Sequence, residues 1–180
     1  MKTVFVAGIH GVGKSYLCEA VANTLNIPHY GASALIKEYN SSLVAKNKAV
    51  KDIVVNQDAL VERYKELPET PIILMDGHVC LLKDGTKIER IPMRTFESLD
   101  ICSFVLVTAE IETILERMKE RDGILHNRIL LEQMMYAEHQ YSEEIARLLA
   151  VPIVHVTSTQ AGINQVNVMV KEMLRDCDLH

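Results

Sequence analysis

The sequence predicts an α/β domain, a five-stranded parallel sheet with helices on both faces, from three observations. Short apolar runs recur along the chain, most clearly at residues 4–7, 72–75, 104–107 and 152–156. Each is continuous rather than alternating, as in strands buried on both faces. Each also lies near apolar residues at helical spacing, and a repeated strand–helix order winds into a three-layer α/β/α fold.

The first run ends in Gly8, and after it Leu17, Ala20, Val21 and Leu25 recur at i, i+3, i+4 and i+8, a helical stripe. Residues 27–30 supply the weakest strand. Residues 40–70 are polar at first and then helical, without a strong strand. The run at 72–75 is closed by Asp76-Gly77, and residues 81–88 read as a small hairpin with Asp84-Gly85 at its turn. After the third run, Ile111, Ile114, Leu115 and Met118 mark a helix starting near Glu110. Residues 121–132 contain little that reads as core. A long helix near 129–149 offers Met134, Ala137, Tyr141, Ile145 and Leu148, read as packing residues rather than a cofactor box. The last strand precedes a helix carrying Ile163, Val166, Val170, Met173 and Leu174, with Thr157 and Gln160 spaced as a capping box. No repeat or linker divides the chain, so residues 1–180 are read as one domain.

Composition narrows the function. Nineteen Lys and Arg against 24 Asp and Glu give a formal charge of -5, the wrong sign for a protein that coats nucleic acid. With no Trp, six Tyr and three Phe, there is no aromatic platform for single strands. Apolar runs fall short of the ~20 residues of a membrane span, and Met1-Lys2-Thr3 leads into a strand rather than a signal peptide. Cys18, Cys80, Cys102 and Cys177 are scattered without a CxxC pair, which reads as reduced thiols. The expectation is a cytoplasmic protein acting on a small molecule, with a homo-oligomer left open.

The chemistry is carried by Gly8-Ile9-His10-Gly11-Val12-Gly13-Lys14-Ser15, a complete GxxxxGK[ST] pattern between a buried strand and an amphipathic helix. The glycines let the backbone curl round a phosphate with several N–H groups turned inward, and the helix adds its positive end. Lys14 would reach the β- and γ-phosphates, and the Ser15 hydroxyl would hold Mg²⁺. Asp76, at the end of a buried strand, suits the magnesium side of such a loop. His78 shares a side with Asp76 if the strand persists.

The loop, Asp76-Gly77-His78 and the arginine-bearing segment after Ile111 resemble the P-loop nucleoside monophosphate kinases, nearest to the archaeal-type adenylate kinase group. Ile91-Pro92-Met93-Arg94 stands where that group has a Gly-Leu-Pro stretch, and the lid is shorter. The resemblance implies a P-loop NTPase fold with an acceptor-binding insertion at 40–70 and a lid at 121–132. It implies ATP on Gly8, Ile9, His10, Gly11, Val12, Gly13, Lys14, Ser15 and Tyr16, Mg²⁺ on Ser15 and Asp76, and an acceptor near Ser33, Lys37, His78 and Arg94. Ser33 is also placed to cap a short helix. Arg117 and Arg121, four residues apart, and Arg128 would bring positive charge to the moving phosphate, although Glu116, Glu120 and Asp122 are close enough for ordinary ion pairs.

The expected activity is transfer of the γ-phosphoryl group of Mg-ATP to a nucleoside monophosphate. A hydroxyl acceptor would make Asp76 the general base. The alternatives are an ATPase or nucleotide-dependent switch, and a nucleotide-binding module without turnover. Lys14→Ala is expected to stop turnover and leave the fold intact, since Lys14 is read as having little core to fill.

Overall fold

The structure, a computed structural model, describes residues 1–44, 53–124 and 126–177. Five strands form one parallel sheet: β1 (Lys2–Ala7), β2 (His29–Gly31), β3 (Ile72–Asp76), β6 (Ile101–Thr108) and β7 (Ile153–Thr157), in the order β2-β3-β1-β6-β7. β4 (Cys80–Lys83) and β5 (Lys87–Arg90) make a separate antiparallel hairpin. The predicted sheet is therefore present with all five of its strands. The continuous apolar runs at β1 and β3 have the reason anticipated, since β1 is buried from Thr3 to Ala7 and β3 from Ile72 to Met75; the run at β7 does not, because β7 is an edge strand with Val156 alone buried.

This strand order positions the site. β1 lies between β3 and β6, and Val6 pairs with Asp76 while Gly31 pairs with Asp76 on the other side. The loop after β1, the carboxylate ending β3 and the start of the helix after β2 thus emerge together at the carboxyl edge of the sheet, where open α/β folds bind ligands. Beneath them, Phe5 packs edge-on against Phe96 with ring centroids 5.5 Å apart and also meets Phe104 at 5.2 Å.

The helices are α1 (Lys14–Leu25), α2 (Ala32–Val44), α3 (Ile53–Lys65), α4 (Met93–Glu97), α5 (Ile111–Asp122), α6 (Arg128–Leu148) and α7 (Gln160–Cys177). Within the predicted insertion at 40–70, residues 45–52 lie outside the described residues. On either side α2 and α3 meet, Asn40 Nδ2 donating to Asn56 Oδ1 at 3.0 Å. The predicted lid at 121–132 is the end of α5, closed by Gly123 at φ 70°, and the start of α6, capped by Asn127, whose side chain accepts from the Leu130 N–H. Leu125 lies outside the described residues.

Four local expectations are corrected. Ser33 does not cap α2, because the helix begins at Ala32 directly from the paired Gly31 and puts Ser33 in its first turn. Thr157 does not cap α7, because it stays paired with Thr108 in the sheet; Thr159 takes the role, accepting from Ile163 N–H on its carbonyl and from Gly162 N–H on its hydroxyl. Leu148 is 58% exposed, since the buried stripe of α6 runs through Met134, Glu138, Tyr141 and Ile145 and then leaves the core. Lys14 is buried, a point developed below.

The hairpin turns at Asp84 and Gly85, both with positive φ. Its two ends are close, Ile91 N–H donating to the Val79 carbonyl at 2.9 Å, and Tyr141 of α6 donates its hydroxyl proton to the Ile91 carbonyl at 2.7 Å. Among the described residues no helix is long and apolar enough to cross a membrane.

Candidate active site

The loop from Gly8 to Gly13 curls between β1 and α1 into a cradle, with Gly8, Gly11 and Gly13 at positive φ. Gly13 is the residue before α1, at φ 93°, and no side chain caps the helix. A Cβ on Gly13 would lie 2.4 Å from Ser158 Oγ, so both conformation and space demand glycine there. The first-turn N–H groups of Lys14, Ser15 and Tyr16 have no partner within the helix, and the positive helix end sits behind them. An anion is the natural cap.

Lys14 is only 8% exposed. Its ammonium folds back over the loop and donates to the carbonyls of Gly8 at 2.7 Å and Ile9 at 3.1 Å. Burial lowers its pKa, against the pull of Glu138 and Asp76. The cation is thus held inside the cradle, where a phosphate would meet it.

Asp76 Oδ2 accepts from Ser15 Oγ at 3.3 Å and lies 2.7 Å from His29 Nε2. A hydroxyl and a carboxylate from the loop and the neighbouring strand form the hard oxygen pair that suits Mg²⁺. The Cys18 sulfur is near His29 and Asp76, but burial raises its pKa and keeps it a thiol. His29 was missed in the sequence. Its signal was its place on the strand that the topology sets beside Asp76.

Glu138 was missed as well. It is 1% exposed, and its carboxylate accepts from the backbone N–H of Gly8 at 3.1 Å, Val79 at 3.0 Å and Cys80 at 2.9 Å. Burial pushes its pKa up, opposed by those N–H groups and by Lys14. One side chain on α6 therefore fixes the start of the phosphate loop and the chain just beyond β3.

His78 lies under this carboxylate, with Nδ1 3.8 Å from Glu138 Oε1 and its ring 4.3 Å from that of His10. Burial, then Lys14 and His10, push its pKa down to about 2. The folded chain keeps His78 neutral where the unfolded chain protonates near pH 6.5, so the protein should lose stability as pH falls below 6.5. The slope from this group is about 1.4 kcal/mol per pH unit. Denaturant titrations at pH 7.5, 6.5 and 5.5 should show the loss, and His78→Asn should flatten it; equal slopes in the two proteins would remove His78 as the cause.

Of the hollows beside the loop, two lie at its Lys14 end. A cavity of about 330 Å³ is lined by Lys14, Ser15, Asp76, His78, His10 and Ser33, over an apolar floor including Phe5, Leu60, Phe96 and Leu99. Gln57 also lines it, 3% exposed, with Oε1 lacking a partner among the described residues. A second hollow of about 480 Å³ is bounded by Gly13, Tyr16, Arg117 and Ser158. There Arg117 donates to the Gly11 carbonyl at 3.1 Å, which brings it to the loop.

The other cations are engaged elsewhere. Arg121 grips Asp122 with two bonds, at 2.6 and 2.8 Å, yet both residues are near enough to influence the pKa of His10. Arg128 pairs with Glu112 and Glu132, and Arg94 pairs with Asp58, all at the surface. Lys37 is exposed on α2. The structure brings together Ser15, Asp76, His78, Ser33 and Lys14 but gives Arg128 and Arg94 surface acidic partners.

A family model described as AAA domain matches residues 7–128. No curated protein matches the sequence. Among solved structures, a gluconokinase from Sinorhizobium meliloti 1021 is similar at TM-score 0.51 and 18% identity, over 94% of this chain and 95% of that one. Shikimate kinase from Acinetobacter baumannii, in complex with shikimate, is similar at TM-score 0.54 and 13% identity, over 99% and 95% of the two chains. Shikimate kinase from Aquifex aeolicus is similar at TM-score 0.54 and 15% identity, over 97% and 96%. At such identities the likeness is one of fold.

Proposed function

Since this chain belongs to the AAA domain family, we propose that it is an ATP-dependent phosphotransferase acting on a small molecule. One observation carries the reading: two separate hollows meet at the turn from Gly13 to Tyr16, one bounded by Arg117 and one by Asp76. ATP seated on the loop would put its base side in the hollow at Arg117 and present its γ-phosphate to the cavity at Asp76. An ATPase needs room for water only, whereas the cavity at Asp76 has an apolar floor suited to an organic acceptor.

Ser15 and Asp76 would hold Mg²⁺, whose charge would offset that of the phosphates. Lys14 is the cation for the transferring group, and His29 keeps the Asp76 carboxylate oriented. The acceptor we favour carries a hydroxyl. Lys14 is the one Lys or Arg among the described lining residues, and ATP needs it. A hydroxyl oxygen would attack the γ-phosphorus as the bond to the β-phosphate oxygen breaks, its proton passing to Asp76. Gln57 Oε1 would accept from another donor on the acceptor.

A nucleoside monophosphate has one observation in its favour, Ser33 in the first turn of α2 beside the cavity, where a helix end and a hydroxyl could receive its phosphate. The test incubates the protein with Mg-ATP and, separately, the four common monophosphates, a panel of sugars and other small hydroxyl compounds, and no acceptor. ADP release that depends on one acceptor is the expected result. Equal release without acceptor would replace the kinase by an ATPase, and nucleotide binding with no release would leave a binding module.

A further inference from the structure

Where α6 meets β7, we propose a second metal site, a surface zinc centre formed by His139, Glu143 and His155. His139 and Glu143 lie one turn apart on α6, and His155 projects from the edge strand β7 to meet them. His155 Nε2 is 2.6 Å from Glu143 Oε1, and the two imidazole rings are 5.1 Å apart at 60°. One ligand atom from each of the three residues lies within 4.8 Å of the others.

Zinc bonds of ~2.0–2.2 Å in tetrahedral array set donors about 3.3–3.5 Å apart, so rotations of roughly 1 Å would complete the site. Two imidazoles and one carboxylate leave a fourth position for water. This donor set selects a borderline cation such as Zn²⁺ over Mg²⁺, which takes oxygen. Without a metal the cluster has little purpose: Glu143 engages His155 in a pair that is 43% and 40% exposed, and such pairs contribute little. Because the ligands come from α6 and β7, the metal would clamp helix to sheet one residue from Glu138.

The experiment titrates the full chain with Zn²⁺ against a chromogenic chelator, in excess Mg²⁺ to occupy the oxygen site, and repeats it with Co²⁺ read by visible absorption. The expected result is one Zn²⁺ per chain, bound at least ~10-fold more weakly by His155→Ala and by His139→Ala. Zinc should raise the melting temperature of the wild type and not of the variants. Unchanged metal-free melting would show that both variants fold, and a lowered one would be met by Glu143→Gln, which keeps shape and removes the charge. Equal zinc affinity in wild type and a His139→Ala, His155→Ala double variant would overturn the site. So would cobalt bands of sulfur ligation, or loss of the bound zinc on Cys18→Ser, which would move the metal to Cys18, His29 and Asp76.

Discussion

Lys14→Ala lowers kcat for phosphoryl transfer by about 10²–10³-fold or more, the scale of losing one preorganised donor to developing charge. Lys14 is the buried ammonium of the cradle, and a water in its place supplies neither the charge nor the fixed position. The same substitution also costs stability, contrary to the expectation from sequence. Removing it strips bonds from the carbonyls of Gly8 and Ile9 and takes a cation from the vicinity of buried Glu138. Relief of the buried charge offsets part of this, leaving a loss of about 1–3 kcal/mol. Steady-state kinetics and urea unfolding check the two halves separately. Turnover within a few-fold of wild type would dismiss the loop as the working site, and unchanged unfolding would mean that the loop carbonyls are satisfied without the amine.

Glu138→Ala should be the most damaging single change to the fold, at about 3–5 kcal/mol, a large share of a typical domain's 5–15 kcal/mol. Three backbone N–H groups from two distant segments lose their common acceptor in a place that water does not reach. Lys14 is left buried with Asp76 as its remaining nearby counter-charge. Glu138→Gln keeps one acceptor oxygen but sets an amide N–H against backbone N–H, so it should fall between alanine and wild type. Both variants should bind nucleotide more weakly, because Gly8 is no longer fixed. A Glu138→Ala protein that unfolds within about 1 kcal/mol of wild type would show that the three N–H groups find other partners.

These two residues mark what the sequence could tell. Lys14 sits in a pattern whose spacing is dictated by the phosphate it embraces, so its neighbours and its place between strand and helix are readable without coordinates. Glu138 has no such pattern, because its partners are backbone groups 130, 59 and 58 residues away. The one available clue was a carboxylate inside the stripe through Met134, Tyr141 and Ile145, where charge is rarely buried unpaired. His29 was hidden for a related reason. Its short strand was legible only weakly, and its closeness to Asp76 depends on β2 pairing with β3. β1, β3 and β6 were read correctly because burial on both faces leaves a continuous signature. Helix caps at Ser33 and Thr157 were misread because sheet pairing decided where those helices could begin.

The hairpin of β4 and β5 enters and leaves through adjacent points, Val79 and Ile91, and both points are anchored to α6 by Glu138 and Tyr141. A segment whose ends are already joined imposes almost the same closure entropy whatever its length, since that cost grows only as the logarithm of the number of residues. The hairpin can therefore be lengthened, trimmed or exchanged as a cassette while the sheet and the loop at Gly8 stay as they are. Leu81 carries this freedom into the cavity beside Asp76. Diversification of such a scaffold would act first on the interval from 81 to 90, decoupled from the loop at Gly8 that Glu138 holds through Cys80 and Val79.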